Sequence, residues 1–272
     1  MNKVHAGSPC ACSIGGSDSG GGAGIQADIK TFSSLGVWGL TVITAVTAQN
    51  PKRVSAFWPL PEDAVRMQIE AVVEEYDVKY FKTGMLANSG IIKTVSESLP
   101  NDAALILDPV MISTSGSPLL DKKDISALME LLIPRSYLLT PNLNEAAYIT
   151  GMDSVKTREE IEKAGQLMLD LGAKAVLVKG GHGEGYYATD ILITDSGMTE
   201  FRGRRYPFEI HGTGCCMSAA ITSFLASGLK PEEACSEAKK IIDMAINHGF
   251  SGNSKILSVN PSFEAGNYNN KY

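Results

Sequence analysis

Ala104-Leu105-Ile106-Leu107-Asp108-Pro109, then an amphipathic stretch over residues 124–132, then Tyr137-Leu138-Leu139-Thr140-Pro141-Asn142, decides the fold class. Each short apolar run reads as a buried strand that stops at polar residues, and the stretch between them reads as a helix. Strands that alternate with helices imply a mostly parallel sheet covered on both faces. The pattern continues in both directions. Upstream, residues 11–14, 42–46 (within an extended run 41–48) and 80–83 read as strands. Residues 27–35, with Ile29, Phe32 and Leu35 on one face, and the acid-started 61–76 read as helices. Downstream, 157–171 is a helix with Thr157 as N-cap and Glu160 at capping-box spacing. Residues 175–179 form a strand, 190–194 and 199–202 a hairpin turned at Asp195-Ser196-Gly197, and 216–227 and 232–247 two more helices. No internal repeat, low-complexity tract or long linker divides the 272 residues, so one domain is expected over 1–272, with a loose polar tail at 260–272.

Composition narrows the function classes. Hydrophobic residues make up 44% and charged residues 20%, as in ordinary globular proteins. The formal net charge of −6 argues against a nucleic-acid partner. No run reaches the roughly 18 apolar residues of a membrane span, and the N-terminus lacks a secretory core. The five cysteines, Cys10, Cys12, Cys215, Cys216 and Cys235, are odd in number and clustered, which does not suit a disulfide framework. A reducing, cytoplasmic setting is expected. Cys10 and Cys12 read as core residues of the first strand.

In sheets of this kind ligands bind beyond the C-terminal strand ends. Four polar motifs follow strand ends: Gly16-Ser17-Asp18, Asp108-Pro109, Thr140-Pro141-Asn142 and Lys179-Gly180-Gly181. Gly212-Thr213-Gly214-Cys215-Cys216 then opens a helix-forming run. Such a turn aims several unpaired N–H groups at one point, and a helix N-terminus favours an anion. Cys215 sits where those donors converge, so an anion cradle is paired with a group able to take a proton. Phosphoryl transfer to a hydroxyl follows, and a helix N-terminus is expected to lower the Cys215 pKa.

The remaining polar residues fit that chemistry. The glycine-dense segment 15–24 lacks both the acidic partner of a dinucleotide fingerprint and the Gly-Lys-Ser/Thr ending of a P-loop. It reads as a close-packed turn, or as a loop whose backbone touches a small flat ligand. Asp28 either caps the following helix or accepts from a substrate hydroxyl. The Gln49 amide suits an aminopyrimidine edge or a solvated strand end. Asp108 and Glu145 are candidates to orient hydrated Mg²⁺, with Asn142 beside them and Lys179 reaching phosphate oxygens. Taken alone, Glu145 reads as an exposed first-turn carboxylate. Arg202, Arg204 and Arg205 read as a solvated hairpin edge, with nucleotide contact as the minor alternative, His182 as a loop residue, and Cys216 as a packing residue.

Taken in order, these motifs resemble the ribokinase-like superfamily, and within it the hydroxymethylpyrimidine/phosphomethylpyrimidine kinases of thiamine biosynthesis. The matching pieces run from Gly16-Ser17-Asp18 through Ala27-Asp28-Ile29-Lys30-Thr31-Phe32, Val42 to Asn50, Lys82-Thr83-Gly84-Met85-Leu86, Asp108-Pro109-Val110-Met111, Thr140-Pro141-Asn142 with Glu145, and Val178-Lys179-Gly180-Gly181-His182 to Gly212-Thr213-Gly214-Cys215. The resemblance implies a three-layer α/β/α sandwich with a mostly parallel sheet and a small flap. It implies ATP-dependent phosphorylation of a pyrimidine hydroxymethyl group and then of the monophosphate. By resemblance, Gly16, Ala23, Gln49, Met85 and Val110 surround the ring and Asp28 helps hold the substrate. Asn142 and Lys179 serve ATP, Asp108 and Glu145 the Mg²⁺, and the amides of Gly212, Thr213, Gly214 and Cys215 form the anion hole with Cys215 as base. A homodimer is implied, and assistance by a monovalent cation is left open.

Asn144 departs from the proline often found in this turn. The flap after Val110-Met111, Ile112-Ser113-Thr114-Ser115-Gly116, is expected to close over substrate. Some pyridoxal kinases carry a second cysteine there. This chain has none between Cys12 and Cys215, so a pyridoxine/pyridoxal kinase is the alternative reading. A non-catalytic pyrimidine-binding module would need the pocket without Cys215, Lys179 and Glu145 together, and a dinucleotide oxidoreductase is a weaker option.

Overall fold

The computed structural model describes residues 8–112, 119–181, 186–208 and 210–262. Nine strands form one sheet: β1 (Cys10–Ser17), β2 (Trp38–Asn50), β3 (Arg53–Pro59), β4 (Tyr80–Thr83), β5 (Ala104–Leu107), β6 (Ser136–Leu139), β7 (Val176–Val178), β8 (Tyr187–Thr194) and β9 (Gly197–Arg204). Their spatial order is β3-β2-β1-β4-β5-β6-β7-β8-β9. The six strands from β2 to β7 in this order are parallel to one another, and antiparallel β3 and the β8–β9 hairpin complete the two margins.

Both faces of the sheet are covered. Alternation along β5 sends Leu105 and Leu107 into one core and Ile106 into the other, and β7 divides Val176 and Val178 from Leu177 in the same way. One layer contains α2 (Glu62–Glu75), α3 (Ser89–Ser98), α4 (Lys122–Leu131), α5 (Leu143–Thr150) and α6 (Arg158–Asp170). The other contains α1 (Gly24–Ser34), α7 (Thr213–Ala226) and α8 (Pro231–Asn247). Nearly every residue of α7 from Cys216 to Leu225 is buried, which explains its run of Ala, Ser, Thr and Cys. Small side chains let α1 and α8 pack closely against it. A second sheet, β10 (Ile210–His211), β12 (Leu257–Ser258) and β11 (Phe250–Ser251), buttresses the turn before α7.

Several expectations need correction. Strand β1 runs on to Ser17, so Gly15 and Gly16 are strand residues rather than loop, paired with Ile43 and Ala45 of β2 across a register shift. The sequence reading missed β3 and α3. Helix α1 begins at Gly24 with Ala23 as its N-cap, so Asp28 lies inside the helix and caps nothing. The capping box at Thr157 and Glu160 forms as read. Asn260 is tied down, its N–H donating to the Ala245 carbonyl at 2.9 Å. The rest of the tail from 263, His182, and residues 113–118 of the flap lie outside the described residues.

Candidate active site

The turn before α7 leaves backbone donors free at a helix N-terminus, a geometry that favours anions. Gly212 has φ 85°, a left-handed conformation suited to glycine. A Cβ there would overlap the Gly22 carbonyl oxygen. The first intrahelical bond runs from Cys216 N–H to the Gly212 carbonyl at 3.0 Å. The N–H groups of Thr213, Gly214 and Cys215 therefore precede the helix ladder, and these three residues line a cavity of about 1000 Å³ at the C-terminal strand ends. Lys179 reaches the same place: its Nζ lies 3.6 Å from where a Cβ on Gly214 would stand.

Cys215 is half-buried and lines the cavity. The Gly24 N–H at the start of α1 favours its charged form, and the sulfur is carried by the first turn of α7. The expectation of a lowered pKa is overturned in the ligand-free protein. Burial pushes the thiol up to about 11, Lys82 opposes this, and Asp28 and Asp108 add to it. Desolvation and two neighbouring carboxylates outweigh the helix ends and the Lys82 and Lys179 ammonium groups. Cys216 is buried and receives the Thr31 hydroxyl at 3.5 Å, a packing position as expected.

Opposite this turn, the glycine loop is organised by Asp18. Its carboxylate accepts from the N–H groups of Gly20, Gly22 and Ala23 at 2.8–3.1 Å, and His211 Nε2 lies 3.1 Å from Oδ2. Burial opposes the charge, but His211 and the loop N–H groups outweigh it and hold the Asp18 pKa below its usual value. The Gln26 amide oxygen accepts from the Asp18 N–H at 2.8 Å. The loop that carries Ala23 is thereby joined to the residue preceding Gly212.

The cavity floor holds a fully buried ion pair. Lys82 Nζ lies 2.8 and 3.0 Å from the two Asp28 oxygens, and the Ser13 hydroxyl donates to Oδ2 at 2.5 Å. Burial disfavours the Lys82 ammonium, but Asp28 overrides it, with Cys215 and Asp108 adding, so Lys82 stays charged. The Asp28 carboxylate is thus already engaged by protein groups.

A second charged cluster lies at the ends of β5, β6 and β7. Lys179 pairs with Asp108 at 2.7 Å, the Ser218 hydroxyl donates to the other Asp108 oxygen at 3.0 Å, and Thr140 donates at 3.3 Å. Asn142 caps α5 by accepting from Asn144 and Glu145 N–H at 2.9 Å, and Glu145 accepts back from Asn142 N–H at 2.8 Å. Glu145 is buried rather than exposed. Burial raises its pKa to about 7, against the pull of Lys179 and with a push from Asp108. Asp108 and Glu145 in turn hold the Lys179 ammonium above its usual range in spite of its own burial.

All of Gly16, Ala23, Asp28, Gln49, Met85, Asp108, Val110, Asn142, Glu145, Lys179 and Gly212 to Cys215 border this one cavity. The arginine cluster divides between its two readings. Arg205 donates to the carbonyls of Gly181, Gly180 and Tyr187, and it lines the cavity beside Arg204. Arg202 pairs with Glu200 on the exposed strand, as a solvated edge should. Sequence reasoning assigned no role to Lys82 or His211. A lysine between Phe81 and Thr83 in an otherwise buried strand was the available signal for the first. His211 carried none beyond preceding Gly212.

Sheet order, helix layers and the glycine turn heading α7 together define a kinase of ribokinase-like fold. The ADP complex of Bacillus subtilis pyridoxal kinase superposes with a TM-score of 0.87 at 33% identity, over 94% of this chain and 98% of that one. Phosphomethylpyrimidine kinase from Clostridium difficile 630 superposes with a TM-score of 0.79 at 42% identity, over 88% and 99%. The phosphomethylpyrimidine kinase family model matches residues 18–260, and the chain belongs to that family. It is 44% identical over 239 residues to the hydroxymethylpyrimidine/phosphomethylpyrimidine kinase of Rhizobium meliloti, covering 87% of this chain and 90% of that protein. The Bacillus subtilis enzyme of the same name is 41% identical over 245 residues, covering 88% and 89%.

Proposed function

We propose that the protein transfers the γ-phosphoryl group of ATP to the hydroxymethyl group of 4-amino-5-hydroxymethyl-2-methylpyrimidine, and then phosphorylates the monophosphate to the diphosphate for thiamine biosynthesis. The observation that carries this reading is the convergence of three unpaired N–H groups, the Lys179 ammonium and the Cys215 sulfur on one cavity. The amides and Lys179 neutralise charge on the migrating phosphoryl group, where most of the rate gain of phosphoryl transfer arises. The acceptor oxygen attacks phosphorus, the bond to the β-phosphate oxygen breaks, ADP leaves, and the acceptor proton passes to Cys215. Gln49, Met85, Val110, Gly16 and Ala23 border the space for the pyrimidine, and Asp28 orients it through Lys82 and the cavity floor.

The donors present suit a hydrated Mg²⁺ bound with nucleotide phosphates, a mode that needs only one or two carboxylates. Asp108, held by Lys179, Thr140 and Ser218, and Glu145, held by the Asn142 N–H, are the carboxylates that would serve it. When bound, the ion would neutralise charge on the nucleotide phosphates. Asn142 holds Glu145 in position. A substrate panel with ATP and Mg²⁺, read by the mass gained by the acceptor and repeated with and without K⁺, tests this reading. An unmodified pyrimidine would overturn it.

A second reading is favoured by one observation, the 0.87 superposition on a pyridoxal kinase. Under it, pyridoxal and pyridoxine in the same panel gain phosphate faster than the pyrimidine. For assembly we propose a dimer through the β2–β3 ribbon. Cross-strand partners Val46 and Trp58 are 43% and 58% exposed there at the sheet margin, an apolar edge that a second copy would cover. Sedimentation of Trp58→Lys should show monomer where the parent shows dimer. Among the described residues no helix is long and apolar enough to cross a membrane. The five free cysteines favour a reducing cytoplasm as the setting.

A further inference from the structure

The antiparallel ladder between β7 and β8 stops at Val178 and Ile191. Continued pairing would set Lys179 against Asp190 and Gly180 against Thr189. The chain turns away instead, while Lys179 stays tied to the neighbouring loop through its N–H, which donates to the Pro141 carbonyl at 2.8 Å. Gly180 passes so close to β8 that a Cβ on it would overlap the Thr189 carbonyl oxygen, so only glycine fits. Its N–H donates to Asp190 Oδ1 at 2.9 Å, a side-chain bond where the ladder has ended. Asp190 Oδ2 accepts from Lys239 Nζ of α8 at 2.6 Å, and these side chains are 5% and 13% exposed. The lysine stem crosses β9 at Gly203, where a Cβ would stand 2.5 Å from its Cε. From the other side Arg205 donates to the Gly180 and Gly181 carbonyls.

We propose that Asp190 is a positioning residue for the nucleotide: braced by Lys239, its carboxylate fixes the Gly180 amide and so the backbone from which Lys179 extends its ammonium toward the phosphates. The proposal rests on the kinase reading and deepens it. The β8–β9 hairpin is held by its own ladder from Tyr187 and Arg204 to Thr194 and Gly197, so its pairing does not depend on this clasp. The clasp instead joins α8, β8 and the turn after β7, and Lys179 leaves that turn with its Nζ 3.6 Å from where a Cβ on Gly214 would stand. Charge gives the proposal a sign. A carboxylate on the cavity wall opposes a polyphosphate by Coulomb repulsion alone, so removing it would tighten binding if Asp190 acted only as a charge. A positioning role requires the opposite.

The test is calorimetric titration of the full-length protein with MgATP and, separately, with adenosine, beside hydrogen–deuterium exchange of the peptide containing Gly180 in the ligand-free protein. Asp190→Ala should weaken MgATP binding about tenfold, leave adenosine binding within about twofold, and speed exchange at Gly180. Asp190→Asn, which keeps an oxygen for the Gly180 N–H, should lie between parent and Asp190→Ala. Where Asp190→Ala fails to fold, Asp190→Glu keeps the charge and moves the carboxylate by one methylene, and it should weaken MgATP while sparing adenosine. Unchanged or tighter MgATP binding in the folded alanine or glutamate variant, or equal weakening of MgATP and adenosine, would overturn the proposal. A parent that binds no MgATP would sink the kinase reading. Faster exchange at Gly180 in Asp190→Ala would then leave the clasp standing, and unchanged exchange would remove it.

Discussion

His211 Nε2 and Asp18 Oδ2 meet at 3.1 Å and join the two loops that bound the reaction cavity. Asp18 organises the glycine loop through three N–H groups, and His211 immediately precedes the glycine turn that heads α7. Each loop is shaped by backbone bonds of its own, yet neither can move without breaking this contact.

Asp18→Asn should therefore lower stability by about 1–3 kcal/mol at neutral pH, the cost of weakening a buried charge-assisted cluster. The Asp18 pKa is held down in the folded state, so its contribution is present above the unfolded carboxylate range and is lost as pH falls through the folded value. Thermal melts should show the gap between variant and parent closing below about pH 4. A gap that is constant with pH would remove the carboxylate from this role.

Cys215→Ala should retain the fold and lose about 10²–10⁴-fold in kcat, the usual worth of a general base. Residual turnover is expected because the amides and Lys179 still neutralise the moving charge. Unchanged kcat would mean that the sulfur takes no proton.

Gly212→Ala and Gly214→Ala should separate conformation from binding. A Cβ on Gly212 would collide with the Gly22 carbonyl at a positive φ, so the variant should unfold or lose the turn. On Gly214 a Cβ meets only Lys179 Nζ at 3.6 Å. That variant should fold, with KM for ATP raised about tenfold, or ~1.4 kcal/mol, by a methyl group placed among the donors. Circular dichroism and initial rates distinguish the two outcomes, and equal stability of both variants would refute the strain argument.

Glu145→Gln carries a pH signature. The Glu145 pKa is raised by burial to about 7. A raised carboxylate costs no stability below its unfolded value near ~4.3, and the cost grows as pH rises toward the folded value. The amide should therefore raise the melting temperature of the ligand-free protein at pH 8, by about 1–3 kcal/mol in stability, and change little at pH 4.5. The same variant should lose Mg²⁺-dependent turnover. An equal stability gain at both pH values would show that the carboxylate is not the cause.

The strand–helix alternation and the strand-end motifs were legible because each is local. A strand buried on both faces needs a short apolar run, and Leu107-Asp108 or Leu139-Thr140 marks the point where it meets the ligand side of the sheet. Strand β3 was missed because an edge strand with alternating exposed residues looks like surface loop. Helix α3 was missed because the sequence reading carried no element across residues 89–98, although Asn88 caps it through the Ile91 N–H.

The sequence alone determined the layer architecture, the glycine turn at Gly212 to Cys215 and the strand-end polar residues Asp18, Asp108, Asn142 and Lys179 that border the cavity, since these follow from periodicity, glycine placement and strand-end position. Tertiary structure decided which charges face one another: Lys82 with Asp28, Lys179 with Asp108, and Asp18 with His211. These pairs join residues 54, 71 and 193 positions apart. Their protonation depends on burial and on neighbours brought in by other elements, and that is why Cys215, which its own helix end would acidify, is instead pushed up to about 11.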